Sequence, residues 1–356
     1  MSRVAAWVCP GEDAAHKLTG ERFGRYDTPN APVRRYETTE ERLVAEFALL
    51  NFAQGQTAVP GIKVSEHVLP ISAALEATGQ SGAIPSSSTK EILSHWAKAE
   101  PVLNAIADAF AGKSANGLQA VAKPLASVRL LAPILYPDAV FCAFANYTDH
   151  MKEMSGREPP DKTKVKPLFF LKLGAHAIIG PEETIKLPAY SQQVDWEAEL
   201  AVVIGRPARN VTVAQAMDHV AGYTILNDLS LRDQGNRSDW NVKTDFLSGK
   251  SFDTGAPMGP WIVPARQVPD IYNITLRQWV DRELMQDSST SFMHFTIAEQ
   301  VAYLAGKFTL RPGDVIATGS PSGNGRPRGI FLKPGQELTV EIEQIGRLHN
   351  PIVQGD

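Results

Sequence analysis

No stretch limits the fold as much as DWEAELAVVIG, residues 195–205. Read as a β-strand, it sends every second side chain to one face. Trp196, Ala198, Leu200, Val202 and Ile204 then share one face, and Asp195, Glu197 and Glu199 share the other. Three like charges in a row repel one another, and burial beside an apolar run makes each costlier. Such a strand needs positive charge against its acidic face. Either a divalent cation or lysine and arginine side chains across the sheet can supply it.

The sequence around this strand is rich in short apolar segments separated by turn signals. AVFCAFAN, LFFLKL, YTILND, GPWIV, DVIATG and ELTVEIEQI all read as strands. Helices are fewer. Ser88 with Glu91 forms a capping-box pattern, and Pro101 reads as the restart of a second short helix. Thr212 with Gln215 and Thr296 with Glu299 open two more helices, each expected to stop at a glycine in a left-handed cap. The balance predicts a β-rich α+β fold rather than a doubly wound parallel sheet. The prolines at 124, 133 and 137 mark a crossing segment. We place a domain boundary there, with a smaller N-terminal domain over residues 1–127, which the family resemblance given below implies is a variable one, and a larger domain over residues 128–356.

Several residues could carry chemistry. Glu197 and Glu199 are about 6.6–6.8 Å apart along a strand, close enough to share one divalent ion. Asp228 ends the apolar strand YTILND, where a loop begins, and offers a third oxygen ligand. All-oxygen ligation suits Mg²⁺, Mn²⁺ or Ca²⁺ rather than zinc. His150 and Glu153 in NYTDHMKEM share a helical face, so the carboxylate can fix the imidazole as a water-activating base. A casual surface pair gives the same spacing. Arg232 lies four residues after Asp228; on a helical turn it would enter the same pocket and clamp a carboxylate, or form only a surface ion pair. Lys250 sits in a Gly-flanked turn, and Thr318 and Gly319 end a strand in a Gly/Ser turn whose N–H groups could cradle an anion.

The formal charge of −4 leaves no basic footprint for a nucleic acid. No apolar run is long enough to span a bilayer. Two distant cysteines, Cys9 and Cys142, and the lack of a secretory signal fit a reducing cytoplasm. No G-x-G-x-x-G follows a strand, and no G-x-S-x-G elbow exists, so dinucleotide binding and an α/β-hydrolase triad are unsupported.

The ordered succession FANYTDHMKEM, PLFFLKLGAHAIIGPEETIKLP, VDWEAELAVVIG, AGYTILNDLSLRD, GKSFDTGAPMGPWIV and ATGSPSG resembles the fumarylacetoacetate hydrolase family over roughly residues 128–350. The resemblance implies a mixed β-sandwich roll for the catalytic domain, residues 128–356, usually as a homodimer. It implies that Glu197, Glu199 and Asp228 hold Mg²⁺ or Mn²⁺. His150 and Glu153 become the catalytic dyad on a segment that orders over the substrate, with Lys250 beside them. Thr318 and Gly319 approach the substrate carboxylate, and Arg232 faces substrate. Family members often read Arg-Asp-x-Gln; here Gln234 comes one position early, which rotates it by about 100° on a helical turn. The implied activity is metal-dependent hydrolysis of a C–C bond in an acylpyruvate-like β-diketo acid, a small anionic 2-oxo acid. The alternatives are decarboxylation of an oxaloacetate-like acid, isomerisation or hydration of an unsaturated 2-oxo acid, or a noncatalytic metal-binding module.

Overall fold

The computed structural model describes residues 45–112 and 116–356. Cys9 and the rest of residues 1–44, part of the expected N-terminal domain, lie outside them. The described part opens with an antiparallel meander of β1 (Ala48–Gln54), β2 (Thr57–Val64) and β3 (His67–Pro70). Helices α1 (Thr89–Ser94) and α2 (Trp96–Ala111) follow. Next come β4 (Val140–Phe144), α3 (Thr148–Ser155), β5 (Leu168–Lys172), β6 (Ala198–Ile204) and β7 (Val220–Asn227). The C-terminal part holds α4 (Phe246–Lys250), β8 (Ala256–Pro264), β9 (Thr275–Val280) and β10 (Glu283–Ser289). It closes with α5 (Ile297–Ala305), β11 (Val315–Ala317), β12 (Glu337–Ile342) and β13 (Gly346–Gln354).

These strands form a mixed, β-rich α+β fold. Along the main path of the large sheet the order is β3-β2-β1-β8-β7-β6-β11-β4-β5. Only the β11–β4 pair on this path is parallel. Strands from both sides of residue 127 share the sheet through the β1–β8 pairing. A second sheet runs β10-β9-β12-β13 and ends on Ile185–Leu187. Among the described residues neither sheet closes into a barrel, and no helix is long and apolar enough to cross a membrane.

Strand β6 lies at the centre, buried on both faces. Leu200, Val202 and Ile204 pack with Leu276 of β9, Val340 and Ile342 of β12 and Leu348 of β13. Ala201 and Val203 face Ile92 and Leu93 of α1 and Leu103 and Ile106 of α2. Each large side chain buried this way contributes about 1.5–3 kcal/mol. That double burial explains why the run is apolar nearly throughout.

Three local expectations change. Helix α2 starts at Trp96 and passes through Pro101. The ring costs the helix a hydrogen bond, but the buried face of Ala99, Leu103, Ile106, Ala107 and Phe110 outweighs that loss. Gly222 is not a helix cap: the helix after Thr212 covers only Val213–Ala216, and Gly222 lies inside β7. Gly306 does end α5, but with a right-handed φ of −70°.

Gly222 has a steric role. A Cβ there would stand 2.2 Å from the carbonyl oxygen of Val263 in β8. Gly222→Ala should therefore force the β7–β8 pair apart and destabilise the fold by about 1–3 kcal/mol, as overpacking does. Urea denaturation checks this; an unchanged midpoint would exclude the clash.

Candidate active site and metal centre

The acid-rich segment is not one continuous strand. Val194–Asp195 pairs with Ser230–Leu231, and β6 begins only at Ala198. In the gap, side-chain amides replace the sheet ladder. The Glu197 N–H donates to Asn227 Oδ1 at 3.0 Å, and the Ala198 N–H donates to Gln286 Oε1 at 3.0 Å. The break separates Asp195 from the other two acids. The Asp228 N–H donates to the Glu197 carbonyl at 2.8 Å, so the ends of β6 and β7 stay joined. Glu197, Glu199 and Asp228 converge as a result, each offering one oxygen within 4.8 Å of the others. All three are buried.

Three cations meet these acids. Lys172, at the end of β5, has a side chain 0 % exposed and reaches Asp228 Oδ1 at 2.6 Å. It also donates to the Leu229 carbonyl at 2.8 Å. Lys250, at the end of α4 rather than in an open turn, contacts Glu197 and donates to Asp228 Oδ2 at 2.8 Å. Arg232 donates to Glu197 Oε1 at 2.5 Å and to Asp195 Oδ2 at 2.8 Å. No helical turn follows Asp228; the short strand Ser230–Leu231 brings Arg232 back to Asp195 instead.

The charges do not balance evenly. Burial alone would raise the pKa of Glu197, but Lys250 and Arg232 outweigh it and hold the acid well below the usual carboxylate range. Glu199 goes the other way: burial, then the neighbouring Asp228 and Glu197, push it well up. Among the described residues no lysine or arginine contacts Glu199, whose hydrogen bond comes from the Gly319 N–H at 2.7 Å. The site thus contains three clustered oxygen donors and one acid without a contacting counter-charge. That donor set fits a hard divalent cation, which would hold the acids ionised.

His150 and Glu153 share a face of α3, with Nδ1 and Oε2 3.6 Å apart. That is close enough for charge interaction but too long for a hydrogen bond. Glu153 accepts the Gly323 N–H at 3.0 and 3.1 Å. The turn after β11 is committed to the protein itself. Thr318 Oγ1 donates to the Leu200 carbonyl at 2.8 Å, and the Gly319 N–H holds Glu199. Gln234 Nε2 is spent on the Tyr190 carbonyl at 2.9 Å.

Sequence reasoning missed Lys172, Asn227 and Gln286. Lys172 left a signal: a lysine in the otherwise apolar strand LFFLK, where full burial requires a partner. The two amides left none, because their task arises only where the β6 ladder stops.

Residues 139–353 match the family described as fumarylacetoacetate (FAA) hydrolase, C-terminal. The chain is 40% identical over 232 residues to the mitochondrial oxaloacetate tautomerase of Xenopus laevis, covering 64% of this chain and 69% of that protein. It resembles the solved 5-carboxymethyl-2-hydroxymuconate delta-isomerase of Mycobacterium smegmatis at 40% identity and a TM-score of 0.56, covering 66% of this chain and 83% of that one. It also resembles the fumarylacetoacetate hydrolase of Exiguobacterium antarcticum at 31% identity and a TM-score of 0.69, covering 87% and 100%.

Lys172→Met removes one of the two cations on Asp228 and leaves Lys250 as the other. In the presence of EDTA the variant should lose stability, by less than the about 3–5 kcal/mol that stripping the sole partner from a buried pair costs. The measurement is the urea midpoint at constant slope.

Proposed function

The chain belongs to the fumarylacetoacetate hydrolase family, and from that premise we propose an enzyme that shifts a proton between carbon and oxygen in a small anionic 2-oxo acid. The reaction class is keto–enol or double-bond isomerisation. The tautomerase and isomerase names of two relatives support it over the C–C hydrolysis expected from the motifs. The observation that carries the reading is the buried carboxylate triad with a lysine set into it.

Glu197, Glu199 and Asp228 would hold Mg²⁺ or Mn²⁺, which supplies Lewis acidity toward substrate oxygens when bound. Lys250 places an ammonium against Glu197 and Asp228. Burial works to discharge it, but Asp228 and Glu197 outweigh that effect and raise its pKa above the ordinary lysine value. It therefore stays cationic at neutral pH, suited to stabilising an enolate and unsuited to serving as the base. His150 is the proton carrier. It takes a proton from the carbon beside the oxo group, the C–H electron pair forms the C=C bond, and the oxo oxygen becomes the enolate oxygen. The His150 imidazolium then gives its proton to that oxygen, which forms the enol and restores the neutral imidazole. Glu153, 3.6 Å from Nδ1, stabilises the transient imidazolium. The same dyad favours a second reading, activation of water for C–C hydrolysis of an acylpyruvate.

Proton NMR of oxaloacetate in D₂O separates these chemistries. Isomerisation exchanges the C3 protons without consuming the acid, decarboxylation releases CO₂, and only hydrolysis of an acylpyruvate in ¹⁸O water labels a new carboxylate. We expect catalysed C3 exchange, slowed about 10²–10⁴-fold in His150→Ala with Mn²⁺ binding retained. Label incorporation with no C3 exchange would replace the isomerase reading with the hydrolase one. EDTA should abolish activity with little loss of melting temperature; a large thermal loss without an activity to lose would identify a structural metal instead.

A further inference from the structure

Helix α3 carries the proton carrier yet has no buried side chain of its own. A helix of eight residues does not support itself in water. Its entry is fixed by Asn146 and Tyr147, both buried. The Asn146 amide donates to the Phe295 carbonyl at 3.0 Å and to the Thr318 carbonyl at 2.8 Å. Beyond that point polar contacts hold the helix. Asp149 Oδ2 accepts the Ser288 hydroxyl at 2.7 Å, the Ser322 hydroxyl at 3.0 Å and the Ser322 N–H at 3.3 Å. Asp149 Oδ1 accepts the His150 N–H at 2.8 Å. One turn later Glu153 takes the Gly323 N–H.

We propose that Asp149 is a positioning residue: its carboxylate latches α3 onto Ser288 of β10 and Ser322, and so sets where His150 stands. Three donors converge on one oxygen, an arrangement that an anion satisfies and a neutral amide does not, and charged acceptors bind about twice as strongly. The receiving loop is itself held, because Gln286 Nε2 donates to the Ser320 hydroxyl at 2.9 Å and to the Pro321 and Ser322 carbonyls at 3.0 and 3.3 Å. Asp149 contacts none of the three metal-site acids. The latch is a property of the fold; its effect on turnover rests on the reading of His150 as proton carrier.

Two variants of the full chain test it. Asp149→Asn removes the charge. Ser288→Ala/Ser322→Ala leaves Asp149 at the start of α3 and removes only its partners. In both, hydrogen exchange of the amides of residues 151–156 should speed up by about tenfold while the urea midpoint and Mn²⁺ affinity hold. Turnover should fall about 10–100-fold, mainly in kcat, because the base is misplaced rather than lost. Unchanged exchange in the serine variant would overturn the latch and reduce Asp149 to a local helix cap. Faster exchange with unchanged turnover would support the latch and overturn the role given to His150.

Discussion

The structure is organised around the burial of negative charge. Four carboxylates, those of Asp195, Glu197, Glu199 and Asp228, sit where water cannot solvate them. Isolated, each would cost several kcal/mol or lose its charge. The fold answers with Lys172, Lys250 and Arg232, delivered from three different segments. These contacts fix β5, α4 and the segment after Ser230–Leu231 against the ends of β6 and β7. Much of the long-range architecture is thereby tied to one electrostatic requirement, and of these four acids Glu199 has no contacting cation among the described residues.

Around this rigid core the chain places a lightly held element. The ligand-bearing strands are packed on both faces by two hydrophobic clusters. Helix α3 is fastened through hydrogen bonds to loop backbone and serine hydroxyls. The large buried side chains belong to the sheets and the helices packed on them, whereas α3, which carries His150, buries none.

Much of this was legible in the sequence, for identifiable reasons. The β-rich fold and strands β4, β5, β7, β8, β11 and β12 followed from periodicity; β1 to β3, β9, β10 and β13 were not read, and the clustering of Glu197, Glu199 and Asp228 was one of two readings of the acids until the family resemblance was added. The break before Ala198 was not legible, because the alternation of residues 195–205 continues straight through it. Only the tertiary partners Asn227 and Gln286 reveal that the ladder stops there. Asp195 looked like a third member of the acid row, yet it pairs with Arg232 and accepts the Gly325 N–H at 2.7 Å. Pro101 read as a helix start because local preference, taken alone, cannot register the core that α2 covers.

Gln286 joins two parts of the site. Its carbonyl end completes the backbone of Ala198 at the mouth of β6, and its amide end grips the loop on which α3 rests. One fully buried side chain thus spans the start of β6 and the Ser320–Ser322 loop. Substitution of Gln286 would therefore disturb the start of β6 and the footing of α3 together.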